Sequence, residues 1–340
     1  MKTEKKRTLL QAAVFCLLIA LLVTGLNAVF KPKWSTDFKS GSNIRGFYAM
    51  PGNTVDVLIL GSSNVICGVD ANVMLEEGGI SGWTCGTEAQ PLFGSLAWLE
   101  EALRFQSPSA VVLDIGDLFE GFNEVSYRKV FDYMRLSPLK IRLLSEYRAN
   151  HQNIDWFSYI LPLVQYHSRW NELSREDFFY KDVCLKGFFI RTEVRGSAIP
   201  GIDTADRSER EIPQENLDSL VRMIRICKEH DIELLLISCP SIRITAQEHN
   251  AVERIAEEYG LAFLDFNDVS MWPDIDYAAD MADFQHFNVY GAKKATHHIL
   301  EALKARCFLP DRSDSDLQRR LSAEYRSELE KTAENAEPVN

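Results

Sequence analysis

Two short motifs, far apart in the chain, contain the residue types of nucleophilic catalysis. The first is Gly61-Ser62-Ser63-Asn64, and the second is Asp283-Phe284-Gln285-His286-Phe287-Asn288. A serine hydroxyl is a weak nucleophile until a neighbouring base accepts its proton. His286 would be that base for Ser63. Asp283 would accept from the other ring nitrogen, fix the tautomer and stabilise the imidazolium.

The sequence around each motif indicates where the fold would place it. The first motif ends an apolar run, residues 55–60, that is typical of a buried strand, and the second precedes a helix-like stretch, residues 289–303. Ligands of open α/β sheets bind at the carboxyl ends of the strands. We therefore expect Ser63 to meet His286 and Asp283 there. The alternative is that Ser63 only caps a helix and His286 lies on the surface, whereas Asn288 is expected to cap the helix after it.

Alternating strand and helix patterns predict an α/β fold. The predicted strands cover residues 55–60, 82–85, 110–115, 233–238 and 262–266, and the predicted helices cover residues 71–77, 90–105, 214–230, 245–259 and 289–303. Such alternation implies right-handed βαβ units and a parallel sheet covered on both faces. We expect one such domain over residues 55–309.

A long interruption follows the third predicted strand, at about residues 118–213. It is rich in aromatic residues, and residues 136–148 and 154–166 have helical patterns. A segment of this length inside a compact domain is typically functional or a small subdomain. The segment could cover Ser63 as a lid, or it could be a helical cap that packs only for stability.

The N-terminus predicts a membrane anchor. Residues 9–30 carry no charged side chain, and at about 1.5 Å per residue this stretch is long enough to cross a ~30 Å hydrocarbon core. More basic residues precede it than follow it, which favours a cytoplasmic N-terminus and an extracytoplasmic remainder. A cleaved signal peptide is the alternative. Residues 31–54 are typical of a linker and residues 310–340 of a polar, solvated tail.

The composition excludes some classes of function. The 340 residues are 46% hydrophobic and 25% charged, and the formal net charge of −12 offers no basic surface for nucleic acid. The cysteines show no metal-ligand spacing, and His297-His298 lacks further ligand types nearby, so we expect no metal and no cofactor. Cys227 and Cys239 are expected to be buried thiols, whereas a disulfide between Cys67 and Cys85 is left open.

The two motifs, in this order, resemble the blocks of the SGNH/GDSL hydrolase superfamily. Gly61-Ser62-Ser63 is similar to its Gly-Asp-Ser block, with the nucleophile third, and Asp283 with His286 is similar to its Asp-x-x-His block. The resemblance implies a three-layer α/β/α fold with a flavodoxin-like parallel sheet. Serine in place of the block's Asp, together with the anchor and the insertion, resembles the membrane-anchored envelope branch, which includes proteins of teichoic acid D-alanylation and of alginate or exopolysaccharide O-acetylation.

The oxyanion hole implied by the resemblance is incomplete in this sequence. Gly86 corresponds to the glycine that donates a backbone N–H, but Asp114-Ile115-Gly116-Asp117 lacks the asparagine of the family's third block. An ionised carboxylate would repel an oxyanion, and loss of one donor costs ~100- to 1,000-fold in turnover. Asn64 and Gln90 are the candidate replacement donors. Arg169 could bind an anionic substrate, although a structural salt bridge is the alternative.

These features together favour acyl transfer outside the cytoplasm. The resemblance implies O-acylation of a cell-envelope polysaccharide by Ser63, with an integral membrane O-acyltransferase as the partner that supplies the acyl group. An envelope esterase or deacetylase that uses water is the first alternative. A non-catalytic glycan-binding or assembly protein with a decayed oxyanion hole is the second.

Overall fold

The computed structural model describes residues 2–33, 40–151, 154–179, 185–203 and 205–334. These residues form two compact units. One contains the described residues within 36–133 and 182–340, and we call it the sheet unit. The other contains the described residues within 1–35 and 134–181, and we call it the anchor unit.

The sheet unit is built on five parallel strands in the order β2-β1-β3-β4-β5. The strands are β1 (Val57–Gly61), β2 (Gly82–Gly86), β3 (Ala110–Asp114), β4 (Glu233–Ser238) and β5 (Ala262–Asp265). β1 pairs with β2 on one side and with β3 on the other, so the order of the strands reverses there. This reversal opens a crevice at the carboxyl ends of β1 and β3, which is where such folds bind ligands.

Helices cover both faces of the sheet, which confirms the predicted three-layer α/β/α architecture. The helices of this unit are α2 (Ser40–Ala49), α3 (Ser63–Gly68), α4 (Ala71–Gly78), α5 (Leu92–Ala102), α6 (Glu124–Phe131), α11 (Gln214–Glu229), α12 (Ala246–Tyr259), α13 (Val289–Arg306) and α14 (Asp316–Glu334). α5 packs with α11, and α13 packs with α3 and α4. Every residue of β1, β2 and β3 is buried, as expected for strands between two helical layers.

The anchor unit is helical. Its elements are α1 (Lys2–Phe30), α7 (Pro138–Asn150), α8 (Trp156–Ile160), α9 (Leu163–Tyr166), a 3₁₀ helix (His167–Asn171) and α10 (Arg175–Phe178). The predicted helix over residues 154–166 is broken into α8 and α9, because Pro162 lacks the N–H that would continue the helical ladder. α1 contains an apolar stretch long enough to span a membrane, and this stretch is not buried within the protein.

Part of the predicted linker is a packed helix. α2 buries Ile44 and Phe47, and the Trp83 indole Nε1 donates to the Asn43 carbonyl at 3.2 Å. The Phe47 and Trp83 rings meet edge to face, with their centroids 6.3 Å apart. These contacts hold α2 against β2, whereas residues 34–39 of the predicted linker lie outside the described residues.

The predicted solvated tail is instead largely the docked helix α14. Its Tyr325 is buried and donates its hydroxyl to Asp70 Oδ2 at 2.6 Å. Its Gln318 donates to Ser81 Oγ at 2.7 Å and accepts from the buried Lys186 Nζ at 2.6 Å. A polar helix remains docked here because its few inward polar groups find buried partners. Residues 335–340 lie outside the described part of the chain.

We expect Tyr325→Phe to lower the free energy of unfolding by about 1–3 kcal/mol, because the buried Asp70 carboxyl loses a donor. Burial already raises the pKa of Asp70, and the Tyr325 hydroxyl opposes that rise. Urea unfolding of the full chain in detergent, followed by circular dichroism, measures the change. Tyr290→Phe is the matched control, since Tyr290 is exposed. Equal midpoints for the two variants would contradict the role given to the Tyr325–Asp70 bond.

Candidate active site

Gly61 allows the chain to leave β1 and present Ser63 directly. Its φ is +151°, and a Cβ at this position would lie 2.8 Å from Asp114 Cβ on the neighbouring strand. Ser62 is the N-cap residue and Ser63 is the first residue of α3. The sequence predicted a turn here, and the short α3 was missed because it offers too few residues for a periodic pattern.

Asp283 and His286 lie on a loop that closes on itself before α13. Met281 and Phe287 form an isolated antiparallel bridge, and the Ala282 N–H donates to the His286 carbonyl at 2.8 Å. Asn288 caps α13 by accepting from the N–H groups of Tyr290 and Gly291, as its sequence position predicted. The loop is therefore held at both ends, and the positions of Asp283 and His286 are restricted.

The structure brings the three side chains into one hydrogen-bonded chain. Ser63 Oγ lies 2.8 Å from His286 Nε2. His286 Nδ1 lies 3.0 and 2.9 Å from the two carboxylate oxygens of Asp283. With the proton on Nδ1, the ring donates to Asp283 and accepts the Ser63 hydroxyl proton at Nε2. This arrangement has the geometry needed to activate a serine.

The surroundings favour a neutral imidazole and an ionised carboxylate. Burial lowers the pKa of His286, the positive charge of Arg191 lowers it further, and Asp283 opposes both effects. Burial alone would raise the pKa of Asp283. Donation by His286, by the Gln285 N–H and by Arg191 nevertheless lowers the pKa of Asp283 to about 2. The base is therefore unprotonated at neutral pH, and the group that orients it is charged.

Arg191 belongs to this group of side chains, although no sequence motif indicated it. Its Nη1 donates to Asp283 Oδ2 at 2.6 Å and lies 3.4 Å from His286 Nδ1. The backbone holds it there, because the Phe189 N–H donates to the Ile66 carbonyl at 2.8 Å and the Val289 N–H donates to the Arg191 carbonyl at 2.7 Å. Arg191 lies in the last part of the predicted insertion, and no local motif connects it with Asp283. Only the fold brings the two together.

Ser63 opens into a polar cavity of about 260 Å³. Besides Ser63, its lining includes the side chains of Asn64, Asp117, Gln285 and Arg243. The half-exposed ring of Phe122 also contributes, and it packs against Tyr127 at a centroid distance of 5.5 Å. Hydroxyl, amide, carboxylate and guanidinium groups beside the rings of Phe122 and Tyr127 suit a polar substrate rich in hydroxyl groups.

Two carboxyl groups, Asp114 at the end of β3 and Asp117 shortly after it, lie beside the nucleophile loop. Burial raises the pKa of Asp117 to about 6, and Glu120 adds to this by repulsion while a hydrogen bond from Ser62 opposes it. Burial and the nearby Asp117 raise the pKa of Asp114 to about 7. Asp114 Oδ1 accepts from the Cys239 N–H at 3.1 Å, and Asp114 Oδ2 is buried without a hydrogen-bond partner. The protonated, neutral form of Asp114 and of Asp117 is therefore favoured more than that of an aspartic acid side chain in water.

The other predicted binding residues take different positions. Asn64 lines the cavity next to Ser63. Gly86 pairs with Gly61 at the end of β2, where a Cβ would meet Ile66 Cγ1 at 2.9 Å and the Gly61 carbonyl at 3.0 Å. The roles of Asn64 and Gly86 stay predictions.

Gln90 and Arg169 are engaged in structural contacts. The Gln90 amide donates to the Cys85 carbonyl at 3.2 Å and to Ser95 Oγ at 3.0 Å, so it braces the loop after β2 in place of the predicted contact with substrate. Arg169 lies in the anchor unit, where Nη1 donates to the Phe30 carbonyl at 2.7 Å and Nη2 pairs with Asp177 at 3.3 Å. These contacts agree with the structural alternative for Arg169.

The disulfide left open between Cys67 and Cys85 is absent, because both are free and buried thiols. Burial raises the pKa of Cys67 well above its usual range, so this thiol is unreactive. Cys227 and Cys239 are also free and buried, as predicted, whereas Cys184 lies outside the described residues. The described part of the chain contains no group of three or more His, Cys, Asp or Glu residues placed to hold a metal ion.

No protein-family model matches the chain, and no curated protein matches it. Among solved structures, the chain is similar to a crystal structure described only as a candidate acylhydrolase from Bacteroides fragilis. The two are 12% identical, the likeness covers 77% of this chain and 94% of that one, and the TM-score is 0.39. A superposition this loose carries no information about the reaction of this chain.

We expect Arg191→Gln to raise the pKa of His286, because the variant removes a positive charge that favours the neutral ring. Nuclear magnetic resonance of the ¹⁵N-labelled imidazoles, with His286 assigned by its loss in His286→Gln, measures the titration. Arg254→Gln is the control, since Arg254 is exposed and pairs with Glu209 and Glu258. An unchanged or lowered pKa of His286 in Arg191→Gln would refute this account of the electrostatics.

Proposed function

We propose that this protein is a serine-dependent acyltransferase that O-acylates a cell-envelope glycan outside the cytoplasm. The observation that carries the proposal is the 2.8 Å contact between Ser63 Oγ and His286 Nε2, continued by Nδ1 to the Asp283 carboxylate. Serine, base and oriented carboxylate form the set required for nucleophilic acyl chemistry. Ser63 is the nucleophile, His286 the general base and Asp283 the positioning group.

The reaction proceeds in two balanced steps. His286 takes the Ser63 proton as Oγ attacks the acyl carbonyl carbon, and the imidazolium then protonates the leaving oxygen as its bond to that carbon breaks. The acyl-Ser63 ester remains. In the second step, His286 takes the proton of an acceptor hydroxyl, the acceptor oxygen attacks the ester carbonyl, and Ser63 Oγ leaves with the proton from His286. Water as the acceptor would give hydrolysis instead.

The negative oxygen of each tetrahedral intermediate needs donors close to Ser63. The N–H groups of Ser63 and Asn64 lie in the first turn of α3, where no intrahelical acceptor is available to them. The Asn64 side chain lines the same cavity, and Gly86 lies beside the nucleophile loop. We assign the oxyanion contacts to Asn64 and Gly86, together with the backbone N–H of Ser63.

The cavity supports a glycan as the acceptor. Asn64, Asn123, Ser126 and Gln285 offer both donors and acceptors for sugar hydroxyl groups, and Phe122 offers an aromatic face. The cavity is also lined by the carboxyl groups of Asp117, Glu120 and Glu215 and by the guanidinium of Arg243, so acidic groups outnumber the basic one and an acceptor without negative charge fits it better than a phosphorylated one.

α1 supports the proposed location and, through it, the proposed partner. Its apolar residues and the excess of basic residues before them support a single membrane span, with the N-terminus in the cytoplasm and the sheet unit outside. An acyl group activated in the cytoplasm would have to cross the membrane before it could reach Ser63. We therefore assign the supply of the acyl group to an integral membrane O-acyltransferase.

We expect a fluorophosphonate probe to label the full-length protein at Ser63, because His286 activates this hydroxyl. Ser63→Ala should abolish labelling, and His286→Gln should slow it by ~100- to 10,000-fold. Ser62→Ala, which removes the neighbouring hydroxyl, is the control and should still be labelled. The lowered pKa of His286 means that labelling increases with pH through a midpoint below 6.5 and is level at neutral pH. Labelling that persists in Ser63→Ala would exclude Ser63 as the nucleophile.

The full-length protein and its Ser63→Ala variant also distinguish acyl transfer from hydrolysis and from a non-catalytic role. With p-nitrophenyl acetate as the acyl donor, acyltransfer predicts that an added oligosaccharide accelerates nitrophenol release and becomes acetylated, as mass spectrometry would detect. Equal release without acetylated sugar would identify an esterase. Absence of labelling under all conditions, together with full function of Ser63→Ala in cells, would identify a non-catalytic protein.

We expect Asp117→Asn to raise turnover most above pH 6. Above its pKa of about 6, Asp117 is ionised and repels the oxyanion, whereas below that pH it is increasingly a neutral acid. An asparagine amide is neutral at every pH and donates hydrogen bonds. Turnover of p-nitrophenyl acetate from pH 5 to 8 should therefore show a gain of at most ~1,000-fold at the alkaline end and a smaller gain at the acidic end. Glu120→Gln is the charge-matched control, and a gain independent of pH would contradict this role of Asp117.

A further inference from the structure

Outside α1, the described part of the anchor unit exposes five large aromatic side chains. Trp170 is 73% exposed, Phe178 57% and Phe179 77%, and Trp156 and Phe157 are exposed to a lesser degree. We call these five residues the aromatic group. A soluble protein rarely leaves so many large aromatic side chains in water, and such exposure marks a surface that contacts something else.

Hydrogen bonds connect α9 and the 3₁₀ helix that carries Trp170 to the C-terminal end of α1. The Leu163 N–H, at the start of α9, donates to Asn27 Oδ1 at 2.7 Å. Arg169, in the 3₁₀ helix that contains Trp170, donates to the Phe30 carbonyl at 2.7 Å and pairs with Asp177 in α10. These bonds satisfy acceptors at the end of α1 and fix Trp170 and Phe178 near it.

The position of α1 determines the level of the aromatic group relative to a bilayer. If α1 spans the membrane, Asn27 and Phe30 lie where the hydrocarbon core ends on the outer side. Segments bonded to those residues lie at the same level. Trp is enriched at the membrane–water interface, because its ring is large and apolar while its N–H needs a polar partner.

The charges within the segment that carries Trp170 and Phe178 nearly balance. Arg175 is exposed, but the exposed Glu172 and Glu176 lie in the same segment, and Arg169 is already paired. Burial of aromatic area would therefore supply most of the binding free energy of this segment, and Lys31 and Lys33, directly after α1, are the basic residues that follow the span in the sequence.

We propose that the aromatic group is a membrane-interface contact, which lies in the headgroup region of the outer leaflet and holds the anchor unit against the bilayer. This proposal rests on the membrane insertion of α1 assigned above, but not on the chemistry of Ser63. The contact restricts rotation and tilt of the anchor unit, since a single spanning helix leaves both free.

The experiment is tryptophan quenching in nanodiscs of phosphatidylcholine that carries bromine near the top of its acyl chains. The full chain is used with Trp34→Phe, which removes a tryptophan that follows α1 closely in the sequence, and α1 itself contains no tryptophan. Trp83 and Trp98 are buried, so quenching reports mainly on Trp170 and Trp156. We expect emission to fall in the brominated discs, and to fall less when bromine lies near the chain ends.

Two further variants identify the tryptophan residue that is quenched. Adding Trp170→Phe to Trp34→Phe should remove most of the quenching. Adding Trp272→Phe, in the sheet unit, should leave the quenching unchanged.

Extraction at alkaline pH tests insertion of α1 separately, because a spanning helix resists extraction. If α1 is inserted but no quenching is observed, the proposed interface contact is wrong, whereas the proposed membrane span of α1 is unaffected. Emission that responds only to an added oligosaccharide or to a membrane protein would assign the aromatic group to that partner and overturn the proposal.

Discussion

The parallel pairing of β1 with β3 is the constraint on which the rest of the site depends. β2 lies on the other side of β1, so the chain leaves β1 and β3 towards opposite sides and the sheet opens between them. The approach is close enough that Gly61 can carry no side chain beside Asp114. Ser63 follows β1 and Asp117 follows β3, so one pairing brings the hydroxyl and the carboxyl to the same cavity.

Burial determines the electrostatic character of that cavity. It favours the neutral form of His286, Asp114 and Asp117, because a charged group loses hydration there. Asp283 is the exception, since His286, the Gln285 N–H and Arg191 all donate to its carboxylate. One ionised acid beside a neutral imidazole is the combination that a serine nucleophile requires, whereas Asp117, when it is ionised above its pKa of about 6, limits the stabilisation of an oxyanion.

Local patterns predicted the elements of the sheet unit well. Apolar runs predicted each of the five strands to within a few residues. Asn288 was correctly predicted as the cap of α13. The errors arose where a few long-range contacts outweighed local polarity. α14 is polar overall, but Tyr325 and Gln318 find buried partners, and α2 docks through Ile44 and Phe47. Single contacts of this kind leave no periodic signal in a sequence.

The sequence by itself determined the fold class, the apolar span of α1 and the identity of the serine, histidine and aspartate candidates. Their types and their positions after a strand and before a helix are local properties of the chain. The tertiary structure decided that Ser63 Oγ and His286 Nε2 lie 2.8 Å apart, that Arg191 donates to Asp283, and that Gln90 braces a loop. These outcomes depend on burial and on contacts between residues distant in the chain, and only the packed fold establishes them.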